Sequence, residues 1–301
     1  LRAIIAQAFP QDELQSLKIV SGGCANLNVR VDLSEHKEPL LLRLYVRDAD
    51  AVHRERRIAE LIGSRVPVPR VYSVGEYGSY RYAIVEFVQG RSLRDLILRH
   101  AGFPMEEVLA ECGRLLARLQ EFSFPHSGFF DGELNVLEPL SREGFLALVE
   151  ECLRNDDVRR TLGLEVTQEI SNAVHRHKDL IPDPMQHTLV HGDFDPANIL
   201  VQQVGSVWQV SAILDWEFAF SGPWLCDVAN MLRYAHRVPP VFEKAFLSGL
   251  QEAGVPLPDG WRITTDLSNL FSLLDCLARG AQPRQAHDIV GLIRELVARL
   301  R

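Results

Sequence analysis

The stretch "HGDFDPANIL", residues 191–200, sets two aspartates and an asparagine beside a histidine immediately ahead of an apolar strand. Asp193 precedes Asn198 by five residues, and Pro196 restrains the loop between them. Seventeen residues after Asn198, at the end of a second apolar run, Asp215 stands in "AILDWE". If "NILV" and "VSAILD" pair as a hairpin, Asn198 at the start of one strand lies beside Asp215 at the end of the other. An amide oxygen next to a carboxylate suits a hard cation such as Mg²⁺, which takes oxygen ligands and keeps some of its waters. Asp193 then remains nearby as a free carboxylate. A base beside a metal-bound phosphate is the arrangement that phosphoryl transfer to a hydroxyl requires.

Working outward, the pattern before residue 90 is that of strands. "LKIV", "NVRVDL" and "LLLRLYV" are short, rich in branched residues and separated by turns. Residues 2–9 read as a short amphipathic helix, and residues 49–64 as a longer one with Val52, Glu55, Ala59 and Ile62 on its inward face. The prolines of "VPVPRVYSV" end that helix, and "VYSVGEYGSYRYAIVEFV" reads as a hairpin turning at Gly78-Ser79. After Gly90 the texture becomes helical: 92–100, 104–122, 141–154, 165–180, 224–236, 240–253, 262–279 and 283–300. The exception is 188–215, which reads as three short strands. The expected fold class is therefore α+β in two lobes. A sheet-rich N-terminal lobe over 1–88 meets a larger helical lobe over 91–301, with a hinge at about 86–90.

Composition narrows the function. A net charge of −8 argues against a nucleic-acid partner, whose backbone needs a basic face. The imbalance is +1 over residues 1–90 and −9 over the rest. No apolar run reaches the length of a membrane span and no signal-peptide core is visible, so the expectation is a cytoplasmic protein with no membrane partner. The five cysteines, Cys24, Cys112, Cys152, Cys226 and Cys276, are odd in number and scattered, which points to reduced thiols and not to a disulfide framework or a zinc site. The sequence carries no mark of an oligomeric state.

The form "HGDFDPANIL…ILDWEFAFSGPWLCDVANML" resembles the aminoglycoside phosphotransferase and choline kinase family, a branch of the protein-kinase-like fold. The similarity extends over roughly residues 18–235, and beyond it the helices match only in general character. The resemblance implies that Asp193 is the catalytic base and that Asn198 and Asp215 hold Mg²⁺. His191 then braces the loop, and Asp227 anchors it from the following helix.

The N-terminal lobe supplies a separate reading. "LLLRLYV" sets a lone charge, Arg43, in an apolar strand, and a buried charge wants a partner. Glu55 on the next helix is the natural one, and a kinase-like site needs such a cation at the nucleotide phosphates. The family often has Lys there, so Arg43 is a departure; it either contacts phosphate or only pairs with Glu55. "SGGCANLNVRV" (21–31) offers backbone N–H groups of Ser21, Gly22 and Gly23 to phosphates. At the join, the Glu86 carbonyl and the Val88 N–H are placed for the nucleobase of ATP or GTP.

Other residues are read structurally. Trp216 and Phe218 are expected to pack the core, and Trp224 and Trp261 to pack helices. The acidic "VEECLRNDD" (149–157) reads as a solvated helix face, with the lining of a pocket for a cationic substrate as the other reading. The expected activity is transfer of a γ-phosphoryl group to a hydroxyl of a small molecule, of the aminoglycoside phosphotransferase kind. The alternatives are a metabolic kinase with a choline-, homoserine- or sugar-like acceptor, a silent nucleotide-binding module, a metallophosphoesterase, or a plain polar turn at 191–198.

Overall fold

The computed structural model describes residues 1–20, 26–181 and 185–301. Its N-terminal half-molecule is an antiparallel sheet of β1 (Leu14–Ile19), β2 (Asn26–Leu33), β3 (Leu40–Tyr45), β4 (Val71–Tyr77) and β5 (Tyr80–Glu86), in the order β1-β2-β3-β5-β4. Alternation decides its two faces. Val29, Val31, Leu42, Leu44 and Ile84 point to one side and bury Ile4 and Ile5 of α1 (Arg2–Ala8). Tyr45, Ala83 and Val85 point to the other, against Ala51 and Val52 of α2 (Ala51–Ile62). Arg43 shares that second face, with Asn28 opposite it on β2 and Ala83 on β5. The β4–β5 hairpin turns at Gly78, whose φ of +61° is the left-handed conformation that a two-residue loop demands.

The inward face of α2 is rotated from the sequence expectation. Ile58 is fully buried and Ala59 only half-buried, because Ile58 and Ile62 enter the core of the helical lobe instead of stopping at the sheet.

That lobe begins with β6 (Arg91–Ser92), α3 (Leu93–Leu98) and α4 (Met105–Leu119). β7 (Gly128–Phe129), α5 (Arg142–Arg154), α6 (Asp156–Leu162) and α7 (Leu164–Arg176) follow. Next come β8 (Thr188–Val190), β9 (Ile199–Val204), β10 (Val207–Ile213), β11 (Phe220–Gly222) and α8 (Leu225–Leu232). The described chain closes with α9 (Val241–Glu252), α10 (Trp261–Ala278) and α11 (Pro283–Arg299). Two small sheets, β10-β9-β6 and β7-β11-β8, carry the segment quoted at the outset.

Two apolar cores hold the lobe. The first joins α3, α4, α8 and α9 to α2, and the second joins α5, α6 and α7 to α10 and α11. Helices α4 and α9 cross where Gly113 faces Gly249. A Cβ on Gly249 would lie 1.9 Å from the Ala110 carbonyl oxygen, so this approach exists only for glycine.

Helix α6 was not expected. The acidic stretch breaks at Asn155, which leaves the helical conformation (φ −62°, ψ 131°) and accepts the Asp157 and Val158 N–H groups on Oδ1 at 2.9 and 3.2 Å. Asp156 and Asp157 then fall in the first turn of a new helix, where negative charge is favourable. Glu150 accepts the Ser171 hydroxyl at 2.7 Å, so these acids cap and join helices. Cys112 is buried, while Cys152, Cys226 and Cys276 are half-buried free thiols; Cys24 lies outside the described residues.

Candidate active site

The loop after β8 is fixed from below by two buried groups. Asp227, fully buried on α8, accepts the backbone N–H of His191 at 2.7 Å on one carboxylate oxygen and that of Gly192 at 3.0 Å on the other. Burial pushes its carboxyl up to about 7, against the pull of those two donors. Gly192 adopts φ +81°, and a Cβ there would meet the Phe218 carbonyl oxygen at 2.3 Å.

His191 is equally buried, and burial pushes its pKa down to about 4. The neutral ring is what its partners need. Nε2 lies 2.8 Å from the Leu214 carbonyl and donates to it, while Nδ1 accepts the Asp193 N–H at 3.1 Å. One imidazole thus ties the backbone of Asp193 to the residue before Asp215. Trp216 covers it with ring centroids 4.4 Å apart.

Asn198 comes next. Its amide nitrogen donates to the Asp193 carboxylate at 2.8 Å and to the Asp193 carbonyl at 2.9 Å. Both partners are acceptors, so the orientation of the amide is settled and its oxygen is left for another ligand. Strands β9 and β10 pair with Ile199 opposite Ile213, and the Leu214 N–H donates to the Asn198 carbonyl at 2.8 Å. Asp215 therefore sits one step beyond Asn198's partner. It does so at φ +62°, a left-handed conformation that costs a non-glycine residue free energy. Burial raises the Asp193 carboxyl above the ordinary carboxylate range, and Asp195 adds to the rise. A more basic carboxylate is a better proton acceptor.

Arg43 reaches this loop from the sheet. Its guanidinium lies 2.5 Å from an Asp215 oxygen, 3.4 Å from Glu55 and 3.6 Å from Glu217. The sequence pointed to Glu55 as its partner, yet Asp215 is nearer. Burial works against the charge on Arg43, and Glu55 and Asp215 more than restore it. Burial likewise raises the Glu55 carboxyl, opposed by Arg43 and by the Tyr45 hydroxyl, which donates to it at 2.6 Å. Around this cluster Arg43 Nε, Glu55 Oε1 and Asn28 Oδ1 are buried without a hydrogen-bond partner. Unpaired polar atoms are costly, and a polar ligand in the cleft would offset that cost.

Glu86 and Val88 lie on the connection to the helical lobe. The Glu86 N–H donates to Arg70 at 2.8 Å, and among the described residues the Val88 N–H has no acceptor. A groove of about 910 Å³ borders the same connection, between Tyr72, Arg114 and Trp208, and none of Asp193, Asn198 or Asp215 lines it. The expectation for Ser21, Gly22 and Gly23 lies outside the described residues.

Two groups escaped the sequence reading. Glu217, two residues past Asp215, accepts the Asn26 amide at 2.6 Å as well as facing Arg43. Arg54 on α2 donates to the carbonyls of Glu217 at 2.6 Å and Phe130 at 3.3 Å. The signal for Glu217 was its place in "DWE"; Arg54 gave none beyond being one arginine among several. Phe218 corrects an expectation: it is 42% exposed instead of packed, with the Arg279 guanidinium 5.8 Å above its ring. The short 3₁₀ turn after Asp215 rolls Trp216 inward and Phe218 outward. Trp224 is buried, and Trp261 is half-buried beneath Arg262.

Comparison with known proteins bears on the fold and the family. An aminoglycoside phosphotransferase APH(4)-Ia variant solved with AMP-PNP and hygromycin B superposes with a TM-score of 0.75 at 19% identity, covering 99% of this chain and 98% of that one. A microcompartment-associated aminopropanol kinase gives 0.69 at 16% identity, covering 99% and 96%. A putative fructosamine-3-kinase from Haemophilus somnus 129PT gives 0.63 at 14% identity, covering 99% and 95%. No curated protein matches by sequence. The sequence model of the phosphotransferase enzyme family, in contrast, matches residues 16–264. The chain belongs to that phosphotransferase family, with the two-lobed kinase-like fold of its structural neighbours.

Proposed function

We propose that the protein is an ATP- and Mg²⁺-dependent phosphotransferase that moves the γ-phosphoryl group to a hydroxyl of a small molecule. The observation that carries this reading is the Asp193–Asn198–Asp215 arrangement, in which one amide fixes the Asp193 carboxylate with its own oxygen left over, and strand pairing sets Asp215 one step beyond the partner of Asn198. The nucleotide lies between the lobe of residues 1–88 and that of 91–301, with 86–90 as the hinge and the Glu86 carbonyl and Val88 N–H toward the base of ATP or GTP.

Asn198 and Asp215 would hold the metal. Two protein oxygens suffice for Mg²⁺, which fills its shell with phosphate oxygens and water. Bound there, the metal neutralises charge on the phosphate oxygens. Arg43 sits where it can exchange Asp215 for the α/β-phosphates, with Glu55 keeping it in place. Asp193 accepts the hydroxyl proton. His191 and Asp227 hold the loop and stay out of the chemistry. The first test is calorimetric: AMP-PNP should bind with Mg²⁺ and far more weakly with EDTA. Identical binding in the two buffers would sink the reading.

The Arg43–Glu55 pair makes a sharper test of the nucleotide site. Replacing Arg43 or Glu55 alone leaves a buried charge partly unpaired, so Arg43→Met, Glu55→Gln and the double variant should be non-additive in AMP-PNP affinity by about 1 kcal/mol or more. Strict additivity would mean that the pair has no part in binding.

The acceptor should be a small molecule. A protein kinase needs a long segment between its metal-binding aspartate and the anchoring aspartate of the next helix, because the peptide lies on it. Here Asp215 and Asp227 are twelve positions apart, bridged by a 3₁₀ turn and the short strand β11. No platform fits in that span. Labelled ATP should therefore transfer no phosphate to casein while an accepted hydroxyl compound turns over; equal rates on the two would overturn this claim.

A further inference from the structure

We infer that the acceptor carries an apolar ring, and that this ring lies on an exposed aromatic face made by Phe218, Phe220 and Phe129 beside the loop of Asp193. The inference rests on the phosphotransferase reading above and deepens it by naming a substrate class and the residues that select it.

The face follows from alternation. The chain leaves the 3₁₀ turn extended at Ala219 (φ −64°, ψ 143°) and enters β11, so Ala219 and Ser221 are buried on one side while Phe218 and Phe220 fall on the other. Phe129 of β7 stands directly opposite Phe220, which puts it on the same side, and their ring centroids are 5.8 Å apart. Phe129 is 50% exposed, Phe218 nearly as much, and Phe220 is half-buried. None of the three enters either apolar core of the helical lobe. Three phenyl rings, with no hydroxyl or N–H among them, thus present hydrocarbon to solvent from one small sheet.

Measured contacts join this face to the reacting group. Phe218 is three residues past Asp215. Its carbonyl oxygen and its Cβ lie 2.3 and 3.2 Å from where a Cβ on Gly192 would stand, and Gly192 is bonded to Asp193. Phe220 pairs with Val190, the last residue of β8 before His191. The Phe218 ring also meets the Arg279 guanidinium at 5.8 Å, at the C-terminal cap of α10. The loop of the base and the end of α10 therefore come together at this ring.

Apolar surface left in water is stabilised when something apolar covers it. The acceptor is that occupant because the face is continuous with the catalytic loop: a molecule whose hydroxyl reaches Asp193 stands at Gly192, and so against Phe218. A hydroxyl compound with an apolar ring meets both ends, its ring offset-stacked or edge-on against the phenyls and its hydroxyl at the base. An ionic acceptor gains less here, since the rings offer it no hydrogen bond and the charges at the rim, Arg279 and Asp275, are paired with each other at 2.9 Å.

The test compares alcohols that differ only in the ring. Phenylalaninol is set against alaninol and 3-phenyl-1-propanol against 1-propanol, with kanamycin as a polar polycation. ADP release is measured with Mg·ATP, and acceptor binding by calorimetry in Mg·AMP-PNP. The wild type should favour the ring-bearing member of at least one pair by roughly 10-fold or more in kcat/KM, and should favour it over kanamycin. Phe218→Ala should remove most of that preference, chiefly through KM, and Phe218→Leu should restore part of it. Phe129→Ala, on a separate strand, should act in the same direction and keeps the test readable if Phe218→Ala disturbs the loop. AMP-PNP affinity should be unchanged in these variants, which also shows that they fold. The inference is overturned if the ring-free members or kanamycin match the ring-bearing ones, if no ring-bearing member binds, or if Phe218→Ala or Phe129→Ala leaves the preference intact. A concentration-dependent dimer abolished by Phe129→Ala would make the face a contact between copies and would overturn it too. Failure to bind Mg·AMP-PNP at all would instead remove the phosphotransferase reading itself.

Discussion

Replacing Asp193 with alanine should lower kcat by about 10²- to 10⁴-fold, the usual worth of a positioned general base. The Mg·AMP-PNP affinity should stay within a fewfold of wild type. The split follows from geometry. The Asp193 carboxylate is bound by the Asn198 amide, and among the described residues no hydrogen bond or ion pair ties it to Arg43, so on the proposed reading its loss touches the acceptor and not the phosphates. Asp193→Asn is the cleaner variant, because its carbonyl oxygen still accepts from Asn198 while it no longer takes a proton. Turnover within a fewfold of wild type in Asp193→Asn, measured by ADP release, would show that the base lies elsewhere.

Asp215→Ala should show the reverse pattern, a loss in binding instead of chemistry. The variant loses the charged member of the proposed metal site and also the nearest partner of Arg43, 2.5 Å away. Mg²⁺-dependent AMP-PNP binding should weaken by roughly 100-fold or more, and what persists should no longer respond to EDTA. Asn198→Ala should weaken it less, since a carboxylate brings charge and an amide does not. Calorimetry with and without EDTA decides: metal-dependent affinity equal to wild type in Asp215→Ala would place the metal at another site.

How legible this was depended on distance along the chain. The strand pairing that brings Asn198 next to Asp215 was readable because both strands lie within a single hairpin closed by a short loop, while the one-residue register shift between Val210 and Ala212 was not. The inward placement of Arg43 was readable too, since a charge flanked by four leucines and a tyrosine has few places to go. What joins the two regions was not. The contact of Arg43 with Asp215 spans 172 residues, and nothing in either segment announces it. Sequence periodicity reports which face is buried and not against what, which is why the α2 face was placed at Ala59 when the second lobe demanded Ile58. The fate of Phe218 turned on a single 3₁₀ turn, and the break at Asn155 on one side-chain cap; both are local choices below the resolution of a periodic pattern.

The anchoring of α2 has a consequence for control. This helix carries Glu55, but Ile58 and Ile62 are plugged into the lower lobe and Arg54 is bolted to the carbonyls of Phe130 and Glu217. A helix so shared between the halves is a poor lever: swinging it outward to disarm Arg43 would tear open a fully packed seam. On the proposed reading, Glu55 is therefore held at Arg43 in the resting fold, and the site stands assembled without a step that swings this helix into place.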